Sequence, residues 1–503
     1  MVTNEQTVVI PATEPTGFIN QVRSFGRGFW AANVMELIER WAYYGVRAVL
    51  SLYIVDAVAN GGLEFTHVQK GSIYAAWAMV QSLLPLFTGG YADRYGYKGT
   101  VAFSILIKIA GYLLMATQHS YGGFFLGCML LATGTAVFKP GVQGIIANAN
   151  MGSKASVAWG IFYAMVNVGG FIGPWAAGYL RMMSWAHVFY ANAILVSLNF
   201  LVLLMFKEPE RPKVEGDRPS PVTEFFSILV SSVKNVFEPR LAAFLVLFSG
   251  YWLMFNQLFD ILPNFIDDWV NTSGTLTWLG RTFHNPAMLQ HGLNGGQIQP
   301  EWMINIDAGA IVFLMIPIAA MFSRMKAIHS IILGILISTA GIVLSGSTMV
   351  GAYCMLGIFV FAIGEMMASP KKLEYLASIA PKDKLGLYMG YANVPNAIGW
   401  GIGSSLGGHM YQTYADKTSL AKAYMADKLH MTPEAIAAIP KDKVMETLSA
   451  QLGQTPRQVT EMLFALHHPE QIWYVFGAIG LASMVGLIAY NAVVTRRPKP
   501  ATV

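Results

Sequence analysis

Apolar stretches of about 20 residues, long enough to cross a bilayer as a helix, recur twelve times along this 503-residue chain. Six precede a polar linker at 207–240 that is rich in proline and charge, and six follow it. We predict an all-α membrane protein with about twelve transmembrane helices in two six-helix bundles, at 1–206 and 241–503. The predicted spans lie at 29–55, 71–92, 100–117, 121–148, 156–181, 185–206, 241–267, 304–323, 327–346, 350–369, 385–411 and 472–495.

Composition supports the membrane class and excludes a soluble domain. Hydrophobic residues make up 54% of the chain and charged residues 12%, whereas soluble domains carry about 25% charged residues. The net charge of +5 follows from lysine and arginine between the spans, so it indicates no nucleic-acid partner. The two cysteines, Cys128 and Cys354, fall in apolar stretches and form no disulfide framework.

Basic residues between the spans fall on one side of the predicted topology, which predicts a cytoplasmic linker and cytoplasmic termini. We therefore expect a multi-pass protein of the plasma membrane, and of the inner membrane in a bacterium. The opposite side carries two longer segments, 268–303 and 412–471, and we predict that the second is a small helical insertion. Thr455-Pro-Arg-Gln458 there has the pattern of a helix start. The basic residues are Arg23, Arg27, Arg94, Lys98, Lys154, Lys207, Arg211, Lys213, Arg218, Arg324, Lys326, Lys371, Lys372, Lys382, Lys384, Arg496, Arg497 and Lys499.

Four charges interrupt the first span, at Glu36, Glu39, Arg40 and Arg47. Each ionised side chain at mid-bilayer costs roughly 2.5 to 3.5 kcal/mol, and such residues usually serve function. With Tyr43 they recur at steps of three and four residues, so they share one helix face. Protonating one carboxylate would free Arg40 for an anionic ligand, which is the minimum needed for proton coupling. The alternative is a static group of ion pairs that only packs helices.

A short motif recurs in the fourth span of each half. Gly134 and Pro140 have the same spacing as Gly364 and Pro370, and opposite charges accompany them: Lys139 precedes one proline and Glu365 follows the other glycine. Two parallel six-helix halves with a midplane site between them are the major facilitator architecture, and this is the fold we predict.

The loop after the second span, Gly90-Tyr-Ala-Asp-Arg-Tyr-Gly-Tyr-Lys98, fits the same fold. Its glycines allow a tight turn, and Asp93 with Arg94 is expected to act as a cytoplasmic gate that breaks when the transporter opens inward. The alternative is an ordinary solvated turn.

The chain resembles the proton-dependent oligopeptide transporter (POT) family, a branch of the major facilitators, over nearly all of its membrane part. The matching motifs are Glu36-x-x-Glu39-Arg40-x-x-Tyr43-Tyr44-Gly45, Phe138-Lys139-Pro140, Phe162-Tyr163-x-x-Val166-Asn167-x-Gly169, Tyr251-Trp252 and Gly364-Glu365 through Ser369-Pro370. The resemblance implies that Glu36, Glu39 and Arg40 couple protons to transport. It implies that Arg40 and Lys139 bind the substrate carboxylate, that Glu365 and Asn167 bind its amino terminus, and that Tyr43 and Tyr44 line the pocket.

Departures from the family pattern affect the pocket wall and the outer gate. Asn256 replaces the usual acid of the seventh span, so Arg47 cannot form its ion pair there. We hypothesise that Asp260, one turn further on, is the partner of Arg47. Reversing both charges should then restore transport that either change abolishes. The alternative is a helix-end residue near water. Ser82 and Tyr391 replace a tyrosine and a tryptophan of the usual pocket.

The sequence therefore predicts a proton-coupled symporter that imports di- or tripeptides by alternating access. Within transporters, the alternative is a non-peptide amino-carboxylate as cargo, or export. A membrane-embedded enzyme or sensor is the other class, but the chain has no HExxH motif, and we predict no enzyme. The expected partners are the peptide, protons and the bilayer. We predict no metal or cofactor, with the proton gradient as the source of energy, and the oligomeric state stays open.

Overall fold

Helices occupy the described parts of the twelve predicted apolar stretches in the computed structural model, which describes residues 18–85, 92, 96–148, 154–208, 236–381 and 385–496. Asp93, Arg94 and most of the predicted linker lie outside these residues. The helices of the first half are α1 Phe18–Arg23, α2 Arg27–Tyr53, α3 His67–Leu83, α4 Tyr97–Thr117, α5 Tyr121–Ala147, α6 Ala155–Met183, α7 Trp185–Ser197 and α8 Asn199–Leu204.

The second half contains more and shorter helices. They are α9 Pro239–Phe255, α10 Gln257–Asp260, α11 Leu262–Trp269, α12 Ser273–Thr282, α13 Pro286–Leu293, α14 Pro300–Met321, α15 Ala327–Gly346, α16 Gly351–Ala368, α17 Lys371–Ile379, α18 Leu385–Gly390, α19 Val394–Tyr414, α20 Lys417–Asp427, α21 Pro433–Ala437, α22 Val444–Leu452, α23 Pro456–His467 and α24 Gln471–Arg496.

Nine helical segments of the described chain are long and apolar enough to cross a membrane. The other three predicted spans correspond to α2, which carries the charged stripe, to α3, which is 17 residues long, and to the glycine-rich α19. The seventh span is divided into α9, α10 and α11, and the tenth bends at Pro370 between α16 and α17. The all-α fold with about twelve spans is confirmed.

Each half has its own apolar core. One buried cluster is built from residues of the second half between Leu241 and Tyr490. Two further clusters belong to the first half, with Trp400 of α19 as their one buried member from the second. The two halves meet where α3 packs against α19, α6 against α14, and α2 against α10 and α11.

The repeated motif marks the same helix crossing in both halves. A β-carbon on Gly134 of α5 would lie 2.5 Å from Lys108 Cγ on α4, and one on Gly364 of α16 would lie 2.5 Å from the Gly334 carbonyl oxygen on α15. In each half, therefore, glycine lets the fourth span approach the third closely.

Residues 415–470 form the helices α20 to α23 at one end of the bundle, which we call the insertion end. The Thr455 side chain accepts a hydrogen bond from the Gln458 backbone, and the Gln458 side chain accepts one from the Thr455 backbone, so the predicted helix start is confirmed. Lys441 Nζ donates to the Val55 carbonyl oxygen at 2.5 Å. The insertion thereby contacts the first half of the chain.

Candidate functional site

The charged stripe of α2 forms a buried and electrically balanced cluster. Glu36 and Glu39 are each 1% exposed and Arg40 is 3% exposed. Arg40 Nε lies 3.4 Å from Glu36 Oε1, and Arg40 is also paired with Glu39. Lys108 of α4, which is fully buried, donates to the other oxygen of Glu39. Two carboxylates and two cations thus compensate one another, which lowers the cost of burying them.

The two carboxylates differ in how well they are satisfied. Both oxygens of Glu39 contact a cation. Glu36 has one longer contact, and its Oε2 is buried with no hydrogen-bond partner among the described residues. A buried acceptor without a partner is costly, so Glu36 is the carboxylate of this cluster that gains most from binding a proton.

A cavity of about 320 Å³ lies between the two halves, within the usual size range of small-molecule sites. All six substrate-binding residues that the sequence predicts line it: Arg40, Tyr43, Tyr44, Lys139, Asn167 and Glu365. Arg40 lies over the rings of Tyr43 and Tyr44, at 4.8 and 5.8 Å from their centroids. The Asn167 amide nitrogen donates to the Tyr163 carbonyl oxygen of its own helix at 2.8 Å.

Opposite charges line the two sides of this cavity. The first half contributes Arg40 and Lys139, and the second half contributes Asp307 of α14 and Glu365 of α16. Lys372 of α17 adds a cation on the second side and lies 4.5 Å from the centroid of the Trp252 ring. The arrangement can bind a ligand that carries both charges, because each end meets its complement.

A buried network connects the halves towards the insertion end. Arg47 of α2 is paired with Asp260 Oδ1 of α10, and Asp260 Oδ2 accepts hydrogen bonds from Trp400 Nε1 at 3.1 Å and Ser404 Oγ at 2.5 Å. Asp260 is 1% exposed. Arg47 also lies 4.3 Å from the centroid of the Tyr74 ring. The structure therefore places the hypothesised partners in contact and surrounds the carboxylate with donors.

Lys70 of α3 extends this network. Its Nζ donates to the Asp260 carbonyl oxygen at 2.8 Å and to Asn264 Oδ1 at 2.5 Å. Asn264 in turn donates to the Ser51 carbonyl oxygen at 3.0 Å. Helices α2 and α3 of the first half are thus bonded to α10, α11 and α19 of the second half.

The three residues that depart from the family pattern have different positions. Asn256 lines the cavity and donates to Asn396 Oδ1 at 3.3 Å. Ser82 lies behind the wall and accepts a hydrogen bond from Asn396 Nδ2 at 3.3 Å. Tyr391 is buried, 6.3 Å from the Tyr388 ring, and is not among the residues that line the cavity.

Sequence reasoning missed four charged residues of these sites: Lys70, Lys108, Asp307 and Lys372. Lys108 and Asp307 stand inside apolar stretches, so the energetic cost of an ionised side chain in the bilayer, which marked Arg40 as functional, applies to them as well. Lys372 was counted among the loop charges, whereas the structure places it against the cavity. Within the described residues, no group of three or more His, Cys, Asp or Glu side chains could hold a metal ion.

Comparisons with known proteins bear on the fold. Residues 34–268 match the family described as Major Facilitator Superfamily. The multidrug resistance protein MdtH of Klebsiella pneumoniae (strain 342) is 22% identical over 395 residues, which cover 78% of this chain and 88% of MdtH. A peptide transporter POT solved in complex with sulfate is similar with a TM-score of 0.66 at 20% identity, over 93% of this chain and 94% of that one.

A POT family transporter solved in complex with 5-aminolevulinic acid is similar with a TM-score of 0.62 at 16% identity, over 88% of this chain and 96% of that one. These likenesses confirm the predicted major facilitator fold and the predicted resemblance to POT transporters. At identities of 16 to 22%, these likenesses show the fold but do not identify the substrate.

Proposed function

We propose that this chain, a multi-pass membrane transporter with the major facilitator fold, imports di- or tripeptides together with protons by alternating access. The observation that carries the proposal is the charge arrangement of the cavity, with Arg40 and Lys139 on one side and Asp307 and Glu365 on the other. A small peptide is a zwitterion, so its carboxylate suits the first side and its ammonium group the second. Family and fold are those of transporters and not of enzymes.

Proton coupling is assigned to the cluster on α2. When Glu36 binds a proton, it becomes neutral and no longer compensates the positive charge of Arg40. Arg40 then has only Glu39 as its carboxylate partner in this cluster, and Glu39 is shared with Lys108. Its attraction for a substrate carboxylate in the cavity then rises, because the local compensation has fallen. Glu36 is the proton carrier in this scheme, and Glu39 holds Arg40 in position.

The Arg47–Asp260 network is assigned the role of the gate at the insertion end. It connects the two halves, so it must break before the cavity can open towards that end. We place the insertion end outside the cell and both termini in the cytoplasm, in a plasma membrane. Asp93 and Arg94 keep their proposed role as the opposite gate.

The test is uptake of labelled dialanine by proteoliposomes with an imposed inward proton gradient. Wild type should accumulate dialanine. Glu36→Gln should lose gradient-driven accumulation at least tenfold and still exchange dialanine across the membrane without a gradient, since glutamine imitates the protonated acid. Glu461→Gln is the matched control, because Glu461 is exposed on α23 and, among the described residues, pairs only with the exposed Arg457, at 2.9 Å.

Two results would contradict the proposal. One is a wild type that shows no gradient-driven uptake in either orientation of the gradient. The other is a Glu36→Gln variant that accumulates as much dialanine as the control. Accumulation only with an outward gradient would favour export instead.

A non-peptide amino-carboxylate is the second candidate cargo. The solved POT family transporter in complex with 5-aminolevulinic acid favours it, because that ligand carries the same two charged groups as a peptide. Competition decides between them: excess unlabelled 5-aminolevulinic acid should suppress dialanine uptake only weakly if peptides are the cargo. Stronger suppression than by unlabelled dialanine would favour the second candidate.

A further inference from the structure

Lys372 of α17 is a cation of the cavity wall that the binding of a zwitterion does not use. It lines the cavity on the side of Asp307 and Glu365. In the described part of the chain, no carboxylate lies within salt-bridge distance of it. In the proposed function, Arg40 and Lys139 bind the peptide carboxylate, and the two acids bind its ammonium group. Lys372 therefore still lacks an anion when a simple peptide is bound.

Trp252 of α9 holds Lys372 against the cavity. Lys372 Nζ lies 4.5 Å from the centroid of the Trp252 ring, which is a cation–π distance, and both side chains line the cavity. Trp252 Nε1 is buried and has no hydrogen-bond partner among the described residues. This part of the wall thus combines an uncompensated cation with an unused donor, and a buried donor without an acceptor is costly.

The neighbouring lysine shows that this position is special. Lys371 Nζ pairs with Glu374 Oε2 at 2.7 Å, and the Glu374 side chain is 55% exposed. Lys371 is not among the described residues that line the cavity. Two adjacent lysines at the start of α17 therefore differ in their surroundings, one in a surface ion pair and the other in the cavity wall.

We propose that Lys372 and Trp252 form a subsite for a second carboxylate of the substrate, so that the preferred cargo is a small peptide with an acidic side chain. Lys372 belongs to the same half as Asp307 and Glu365, which are assigned to the ammonium group. The acidic side chain is therefore that of the first residue, next to the ammonium group, and aspartylalanine is a simple ligand of this kind. The inference deepens the proposed function and rests on it for the orientation of the peptide.

The charge of the loaded site agrees with this assignment and with proton coupling at Glu36. A dipeptide with one acidic side chain carries a net charge of −1 near neutral pH, and the proton that Glu36 binds adds +1. Peptide and proton together leave the net charge of the site unchanged, which avoids the cost of burying an extra ion. A zwitterion with the same proton adds one positive charge.

The test compares two ligands of nearly equal shape, aspartylalanine and asparaginylalanine, which differ in the charge of one side chain. Their Kd values are measured by calorimetry with purified protein in detergent at about pH 6.5, where the aspartyl side chain is ionised and the α-amino group is charged. Wild type should bind aspartylalanine at least about tenfold more tightly, as expected for a hydrogen bond between charged groups. Binding is measured without transport.

Three variants assign this preference to the subsite. Lys372→Gln should bring the ratio of the two Kd values close to one. Lys372→Glu should reverse the selectivity and bind lysylalanine more tightly than asparaginylalanine, a gain that a misfolded protein could not show. Lys371→Gln is the matched control, because Lys371 pairs with the exposed Glu374, and it should keep the ratio of wild type.

The inference is overturned if wild type binds both ligands equally, if it binds no aspartylalanine, or if Lys372→Gln keeps the ratio of wild type. The last result would mean that Lys372 only compensates Asp307 and Glu365. These outcomes are distinct from failure of the proposed function. Preference for aspartylalanine without gradient-driven dialanine uptake would reject proton-driven import and keep the subsite, whereas dialanine uptake with equal Kd values would do the reverse.

Discussion

The Arg47–Asp260 ion pair leads to a quantitative prediction: Asp260→Asn should open the insertion end. Asparagine keeps an oxygen that can accept from Trp400 or Ser404, which donate to Asp260 in the structure. It carries no charge for Arg47, which is 4% exposed and is left as a buried, uncompensated cation. The variant therefore removes the charge of the network with little change of shape.

The size of the effect follows from the burial of both partners. Removing one partner of a buried ion pair costs about 3 to 5 kcal/mol, and each 1.4 kcal/mol changes an equilibrium about tenfold. Because the pair joins the two halves only when the insertion end is closed, the closed state should lose about a hundredfold to a few thousandfold in population against the open state. Uptake of dialanine should fall at least tenfold, since the cycle needs both states.

Spin labels can measure this shift without reference to the cargo. Val58 and Lys428 are exposed at the insertion end on different halves, so cysteines there can carry nitroxides. Their separation in proteoliposomes should lengthen in Asp260→Asn. Asp267→Asn is the control, because Asp267 is an exposed carboxylate seven residues further along the same span. An unchanged distance distribution together with unchanged uptake would refute the gate assignment.

The structure also limits the expected rescue by charge reversal. Arg47, Trp400 and Ser404 all donate to Asp260. An arginine at 260 would leave the Trp400 indole without this acceptor, whereas Ser404 Oγ could still donate to the Trp400 carbonyl oxygen, 2.8 Å away. We therefore expect Arg47→Asp with Asp260→Arg to restore only part of the uptake that each single change abolishes. Absence of any recovery would count against the pairing as the source of the defect.

Two further predictions concern stability in detergent, measured as the midpoint of thermal unfolding. Glu39→Gln should lower it, because Lys108 is left as a buried cation without a carboxylate, at a cost of about 3 to 5 kcal/mol. Adding Lys108→Met should recover most of the loss, and a double variant as unstable as the single one would disprove the pairing. Gly364→Ala should cost about 1 to 3 kcal/mol, because its β-carbon would lie 2.5 Å from the Gly334 carbonyl oxygen. Gly401→Ala is the control, since the nearest atom there is 3.5 Å away. Equal unfolding midpoints for the two alanine variants would show that the helix crossing at Gly364 is loosely packed.

Local patterns allowed much of the fold and of the site to be predicted. The length of an apolar run is a property of neighbouring residues, and so is a capping box such as that of Thr455. The stripe from Glu36 to Arg47 was visible because one helix repeats every 3.6 residues. Resemblance to the POT family then supplied Lys139, Asn167 and Glu365, which all line the cavity.

Contacts between distant helices could not be predicted in the same way. Nothing in the residues around Lys108 indicates that α4 packs beside Glu39, and nothing around Asp307 indicates that it lines the same cavity as Glu365. Lys372 follows Pro370 among polar residues, so composition alone assigns it to a loop. These positions depend on which helices meet, and that is decided by packing over the whole chain.

The charged groups of this protein differ in how well they are compensated, and that difference divides their proposed roles. Glu39 is held between two cations and Asp260 among three donors, so the charge of each of these carboxylates is well compensated. Glu36, Asp307 and Glu365 each keep a buried oxygen that has no hydrogen-bond partner among the described residues, so each of these carboxylates gains from a proton or an ammonium group. Proton movement is therefore expected at the poorly compensated groups and mechanical closure at the well compensated ones. A variant of a poorly compensated group should alter the pH dependence of transport and leave the distance between the halves unchanged. A variant of a well compensated group should change the distance between the halves and leave the pH dependence unchanged.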